Sequence, residues 1–260
     1  MPPAIDKELV RQRFRRCLPT YDGNATVQKR MAEQLTAMVR RVSGRAHDRT
    51  LEIGAGTGVL TRRIVADLDV RSLWVNDLVP ECRSQMDALA SSVGDIALTF
   101  LPGDVESDIA LPGDLNLVAS NAAFQWIEDL PRLLARLASL LRRGGVLAFT
   151  TFGPDNFAEI RELTGRTLDY MDADSLRAAL PAGMASVEMH ESRTVLRFAS
   201  PRDAVEHIRL TGTNAVTAAP WTRQELARFD KDYRASFPAD GGVTLTYHPI
   251  VVAARAERER

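Results

Sequence analysis

The chain has 260 residues, is 45% hydrophobic and carries a formal net charge of -1. That length can bury a sizeable core, and the near-neutral balance excludes capture of nucleic acid by bulk electrostatics. Two cysteines, Cys17 and Cys82, are too few for a disulfide framework and have no metal-ligand spacing, while no apolar run is long enough for a membrane span and no signal-peptide core is visible. The expectation is a cytoplasmic monomer with no metal, no nucleic-acid partner and no membrane.

Charge is uneven along the chain. Residues 1–49 hold eleven basic side chains against five acidic ones, which suits either an acidic partner or a solvated helix surface. Within this region Val27, Met31, Leu35, Met38 and Val42 recur at helical spacing and predict an amphipathic helix over 27–42. A basic lead, loop-like or helical, precedes it and contains Tyr21; Pro19 there restricts Leu18 to extended conformations.

From residue 50 short apolar runs alternate with helical patterns. Strands are predicted over 50–53, 73–76, 97–101, 115–120 and 146–151, each apolar enough for burial on both faces. Helices are predicted over 59–68, 80–90 and 130–141, the last stopped by Arg142, Arg143, Gly144 and Gly145. Strand and helix in alternation predict a doubly wound, mostly parallel α/β sheet covered on both sides. After Phe152, helices over 154–163, 172–180, 201–210 and 222–236 are interleaved with an extended stretch over 186–198 and a closing strand over 243–254, read as antiparallel. With no repeat and no low-complexity linker, this part completes the same domain.

In an open parallel sheet, ligands bind beyond the carboxyl ends of the strands, where the winding reverses. The first strand runs into Gly54, Ala55, Gly56, Thr57 and Gly58, the second into Asn76 and Asp77, the third into Gly103 and Asp104, and the fourth into Asn121 and Ala122. Glycines allow a tight turn and bring a ligand against bare backbone. Asp77 follows Gly54 by 23 residues, the offset at which an acid on the second strand accepts ribose hydroxyls. A pyrophosphate dinucleotide calls for G-x-G-x-x-G, but Val59 holds the third glycine position, which argues against NAD.

The E-x-G-x-G-x-G run instead resembles the nucleotide loop of class I S-adenosylmethionine-dependent methyltransferases, with an acid after strand two and G-D-V after strand three. The resemblance implies a Rossmann-like methyltransferase domain over 46–260, helical insertions near 153–182 and 200–240, and an N-terminal lid over 1–45. It implies S-adenosyl-L-methionine as cofactor and S-adenosyl-L-homocysteine as product. Carried over by motif, the methionine part falls to Gly54, Ala55, Gly56 and Gly58, the ribose to Asp77, and the adenine to Asp104 with Val105 beside it. Glu52, Thr57, Asn76, Leu78, Gly103, Asn121 and Ala122 complete the expected cofactor contacts.

Four segments, TYDGNATVQKRMA, SNAAFQWIEDLPRLL, GGVLAFTTFGPDNFAEIREL and HIRLTGTNAV, resemble the malonyl-acyl-carrier-protein O-methyltransferases of biotin synthesis. That resemblance implies methylation of the free carboxylate of a malonyl thioester on acyl carrier protein. A carboxylate is already ionised at neutral pH, so the transfer needs no general base. Positioning is the mechanism it implies, and well-oriented encounters supply about 7 to 11 kcal/mol. Arg209 is the favoured carboxylate anchor, with Gln125, Trp126 and Phe152 as walls and Tyr21 and Gln28 in a segment folded over the cofactor. Two basic flanks suit the acidic carrier: the N-terminal region, and Arg193, Arg197 and Arg202. Two other readings stay open: methylation of a small free acid such as trans-aconitate, and a cofactor-binding assembly partner without turnover.

Overall fold

The computed structural model describes residues 5–212 and 222–257, so the end of the HIRLTGTNAV segment, 213–216, lies outside the described residues. The basic lead is helical: α1 (Lys7–Asn24) begins at Asp6, whose side chain accepts from the Leu9 N–H at 2.9 Å, and is followed at once by α2 (Thr26–Ser43). Contrary to the extended conformation expected for Leu18, α1 runs straight through Pro19. Proline removes the rung to the carbonyl four residues back, that of Arg15. Burial of Cys17 and Tyr21 on either side holds the helix together across the gap.

Five parallel strands follow: β1 (Arg49–Ile53), β2 (Ser72–Asp77), β3 (Ala97–Pro102), β4 (Leu115–Asn121) and β5 (Leu141–Phe152). Helices α3 (Val59–Asp67), α4 (Arg83–Ala90) and α5 (Leu130–Ser139) connect them, α4 being preceded by a 3-10 turn at Pro80–Cys82. Later in the chain, β6 (Met184–Glu191) and β10 (Pro249–Ala256) complete a seven-stranded sheet of order β3-β2-β1-β4-β5-β10-β6, with β10 antiparallel to both neighbours. Alternate residues feed opposite faces. Leu117, Ala119, Val146 and Ala148 pack with α2 and α3, while Val118, Leu147 and Phe149 pack with α5. Each fully buried valine, leucine or phenylalanine among them contributes about 1.5 to 3 kcal/mol.

Two sequence expectations change in this sheet. Arg142 to Gly145 do not stop a helix, because α5 ends at Ser139 and these residues already belong to β5. β3 is not buried on both faces: as the sheet's edge it leaves Ala97, Thr99 and Pro102 exposed and buries Phe100 alone.

The carboxyl-terminal part departs further. Helices α6 (Ala158–Thr164), α7 (Ala173–Ala179), α8 (Pro201–Leu210) and α9 (Arg223–Ser236) fall near their predicted places. Each extended stretch, however, divides into two strands that enter different sheets. The stretch 186–198 breaks between β6 and β7 (Thr194–Phe198), and 243–254 breaks at His248 between β9 (Gly242–Tyr247) and β10. β7, β9 and the two-residue β8 (Pro238–Ala239) form a second, antiparallel sheet. α8 and α9 bury Ile208, Phe229 and Tyr233 in one cluster with Val243, Leu245 and Tyr247 of β9. Glu159 of α6, 2% exposed, accepts from the Thr246 N–H at 2.9 Å and from the Thr244 and Thr246 hydroxyls at 3.2 and 2.8 Å. A buried carboxylate needs such partners.

Candidate functional site

Strand order reverses between β1 and β4, and there the carboxyl ends of the parallel strands open a cleft of about 900 Å³. The Ser120 hydroxyl locks the two strands together by donating to the Ile53 carbonyl at 2.9 Å. Beyond β1 the backbone bends sharply, with Gly54 at φ +71° and Gly56 at +55°. A Cβ on Gly54 would lie 2.4 Å from that of Ala123, and one on Gly56 would lie 2.9 Å from the ring of Phe14. The first glycine is required by the turn after β4, the second by the helix that covers the cleft.

Asp77 fixes this bend. Its carboxylate accepts from the Gly56 N–H and the Val79 N–H, each at 2.7 Å. Burial pushes the Asp77 carboxyl up to about 6, with the N–H groups of Val79 and Gly56 pulling the other way. Burial acts more strongly on Glu52, raising it to about 8 against hydrogen bonds from Thr61, and its Oε2 is buried without a partner. Asn76 ties β2 to the loop after β3 through bonds from Nδ2 to the carbonyls of Leu101 (2.8 Å) and Gly103 (3.0 Å), so Gly103, Asp104 and Val105 reach the cleft.

On the β4 side Ala122 adopts φ +52°, a conformation costly for a residue with a Cβ. Thr150 holds it there: its Oγ1 accepts from the Ala122 N–H at 2.9 Å and donates to Asn121 Oδ1 at 2.7 Å. Strain of this kind concentrates at functional positions.

The cover is α1. Lys7, Val10, Phe14 and Tyr21 line the cleft, and the Phe14 and Tyr21 rings meet edge-on at 5.2 Å. Lys7 pairs with Asp104 at 3.4 Å and with Glu106. At the other end Asp22 accepts from the Thr57 hydroxyl at 2.5 Å and pairs with Arg62 at 2.9 Å. Glu106 is partly buried, which raises its carboxyl, but the Asp129 and Glu128 N–H groups and Lys7 together hold it below its ordinary value.

Of the residues singled out in sequence, the cleft brings together Tyr21, Glu52, Gly54, Ala55, Gly56, Asn76, Asp77, Leu78, Gly103, Asp104, Val105, Asn121, Ala122 and Trp126. Six others do not line it, among them Phe152, which faces the same neighbouring cavity as Gln125. Thr57 fastens the cover, and Gly58 sets the start of α3. Gln28 is buried in α2, where its carbonyl accepts from Asn121 Nδ2 at 3.1 Å. Gln125 faces a neighbouring cavity. Arg209 lies in the last turn of α8, largely exposed and paired with Glu206, while its carbonyl accepts from the Cys17 thiol. Lys7, Val10, Phe14 and Gly212 were missed. A signal for the first three existed: Lys7, Val10, Phe14, Cys17 and Tyr21 recur at steps of three and four, one face of a helix.

A family model described as a methyltransferase domain matches residues 26–211. Malonyl-[acyl-carrier protein] O-methyltransferase of Chlorobium phaeovibrioides is 40% identical over 98% of both chains, and that of Porphyromonas gingivalis 39% identical over 96% of both. The chain belongs to the malonyl-[acyl-carrier protein] O-methyltransferase family. It is an S-adenosyl-L-methionine-dependent methyltransferase. Solved structures agree on the fold. The YcgJ protein of Bacillus subtilis superposes with a TM-score of 0.62 at 14% identity, over 87% of this chain and 99% of that one. Phosphoethanolamine N-methyltransferase 2 of Haemonchus contortus, solved with S-adenosyl-L-methionine, gives 0.55 at 16% identity, over 86% of this chain and 52% of that one.

The cleft of this methyltransferase fits its cofactor on its own evidence: the backbone of Gly54 and Gly56 lines it with no side chain, and a buried Glu52 oxygen is left unpartnered. Asp77→Ala is expected to weaken binding of S-adenosyl-L-homocysteine by about 1.5 to 3 kcal/mol, the worth of a charge-assisted hydrogen bond. Isothermal titration checks this, and an unchanged affinity removes Asp77 from the ribose site. A second prediction follows from Glu52. Its folded value lies above the ordinary 4.5, so its contribution to stability is present below that value and fades as pH rises through about 8. Asp77 acts in the same sense at lower pH, so the window above pH 6 isolates Glu52. Glu52→Gln should therefore raise the melting temperature of the ligand-free protein progressively from pH 6 to pH 8.5, and a pH-independent difference refutes the assignment.

Proposed function

We propose that the methyl acceptor is the free carboxylate of a malonyl group held as a thioester on acyl carrier protein. The reading rests on the near end-to-end identity with relatives of that name, and the geometry supports it. The second cavity, of about 1090 Å³, shares Ile127 with the cofactor cleft and has no lysine, arginine or histidine among its described lining residues. A free di- or tricarboxylic acid would leave anionic groups there without counter-charge, which disfavours the small-acid reading. A single carboxylate at the end of a neutral chain meets no such difficulty.

S-adenosyl-L-methionine supplies an electrophilic methyl on sulfur. The chain's part is placement. Asp77 and the Gly54–Gly56 bend orient the cofactor, Phe14 and Tyr21 keep water from the cleft, and Trp126 and Ile127 stand where the acceptor enters. No histidine lines either cavity, as suits a nucleophile that is ionised before it binds. Arg209 is proposed as the anchor that steers the carboxylate, exchanging Glu206 for the substrate. Its place in α8, three residues before the cleft-lining Gly212, supports this role. We place the enzyme in the reducing cytoplasm, a reading supported by two buried, free cysteines, and propose that it acts as a monomer.

Radiolabelled methyl transfer to malonyl carrier protein, malonyl-coenzyme A, malonate and trans-aconitate, run side by side, tests the proposal. Turnover on the malonyl thioesters at kcat/KM at least about a hundredfold above either free acid is the expected outcome, a margin equal to about 2.7 kcal/mol. Equal or greater turnover on a free acid defeats it. Arg209→Ala should raise KM for the malonyl thioester about tenfold or more with cofactor affinity intact. A loss of thermal stability with KM unchanged makes this arginine structural.

A further inference from the structure

The second cavity has its own chemistry. Its floor is Gln125, beyond β4, with Thr151 and Phe152 at the end of β5, and its far wall is the connection from α6 to α7 that carries Tyr170. The two acids on its lining, Glu128 and Asp169, are exposed and mark the mouth. The inner surface is neutral, and beside the Thr151 and Thr167 hydroxyls it carries two hydrogen-bonding groups with capacity to spare. Tyr170 OH accepts from Asn156 Nδ2 at 3.0 Å but has no acceptor for its own proton among the described residues. Burial pushes this phenol up to about 12, so it remains a donor at every physiological pH. Gln125 gives its Nε2 to the Ala122 carbonyl at 2.6 Å, which fixes the amide's orientation and leaves Oε1 buried without a partner.

Neutral donors and acceptors set among apolar side chains, with no cation among the described lining residues, define the chemical class of what binds. An amide group offers a carbonyl to the first and an N–H to the second, and a buried polar atom left unpaired costs about 1 to 3 kcal/mol. A second anion has no partner here. Building on the malonyl-thioester reading, we infer that this cavity holds the neutral, amide-bearing pantetheine arm of the acceptor. Tyr170 donates to an amide carbonyl of that arm and Gln125 Oε1 accepts an amide N–H. The arm's thioester end then points past Ile127, which both cavities share, toward the cofactor.

Free pantetheine, which has no acyl group to methylate, is the probe. Its affinity for the full-length enzyme with S-adenosyl-L-homocysteine present is measured by titration, for the wild type and for Tyr170→Phe, which removes one oxygen. The phenylalanine variant should bind pantetheine about 3- to 10-fold more weakly, the range for one neutral hydrogen bond. The KM advantage of malonyl-pantetheine over the malonyl ester of ethanethiol, which lacks the amides, should shrink by the same factor. Leu168→Trp, narrowing the same wall, should act in the same direction through volume and covers the case in which Tyr170→Phe folds poorly. Equal pantetheine affinity in the wild type and both variants overturns the inference, as does a KM increase of the same size for both acceptors. The two readings fail separately: methylation of malonyl thioesters by an enzyme that does not bind pantetheine removes the arm site alone. Pantetheine binding by an enzyme inert toward every malonyl thioester removes the acceptor assignment alone.

Discussion

A carboxylate taken out of water and paired with two backbone N–H groups is the constraint on which the site is built. Asp77 cannot be buried unless the chain brings donors to it, and the donors it receives belong to the bend after β1 and the turn after β2. The same two bonds therefore hold β1's glycines in a conformation that keeps bare backbone facing the cleft. They also leave a carboxyl whose charge is held at a disadvantage, ready for partners better than those it has. The neighbouring Glu52, with an oxygen unpaired, repeats that condition more severely.

Around this pair the molecule separates polar tasks by location. Charge is handled at the carboxyl ends of β1 to β3, where two buried acids and Lys7 gather, while the cavity past Ile127 is kept neutral. The separation suits transfer of a methyl cation equivalent to an acceptor that arrives already ionised. Such chemistry gains little from an acid or base and much from excluding water and aligning two groups. Strain at Ala122, held by Thr150, belongs to the same plan, since it places the turn after β4 between the two cavities.

The sheet and the glycine bend were legible because both are written in local patterns. Apolar runs between turn residues mark the parallel strands, and an acid at fixed distance from Gly54 marks the cleft. What escaped was decided by partners distant in sequence. Pro249 beside His248 and the change from the alternating β9 to the continuously apolar start of β10 mark a break, but they do not say that the two strands enter different sheets. The break follows from β9 pairing with β7 and β10 with β5. Gln28 and Thr57 were placed at the cofactor, and Gln125 as a wall for the acceptor, on the strength of motif position. The Thr57 hydroxyl instead fastens the cover, the Gln28 backbone carbonyl holds Asn121 at the end of β4, and Gln125 lines the second cavity, which only tertiary packing decides. Pro19 misled because a rule for dipeptides in isolation gave way to the burial of Cys17 and Tyr21 around it.

The missing rung at Pro19 has a mechanical meaning. Lys7 pins one extremity of α1 to Asp104 and Glu106, Asp22 pins the other beside the glycine loop, and the weakened point falls between Phe14 and Tyr21. The lid over the cleft is thus moored at both extremities and interrupted within its span, the interruption lying where burial rather than backbone bonding carries the load.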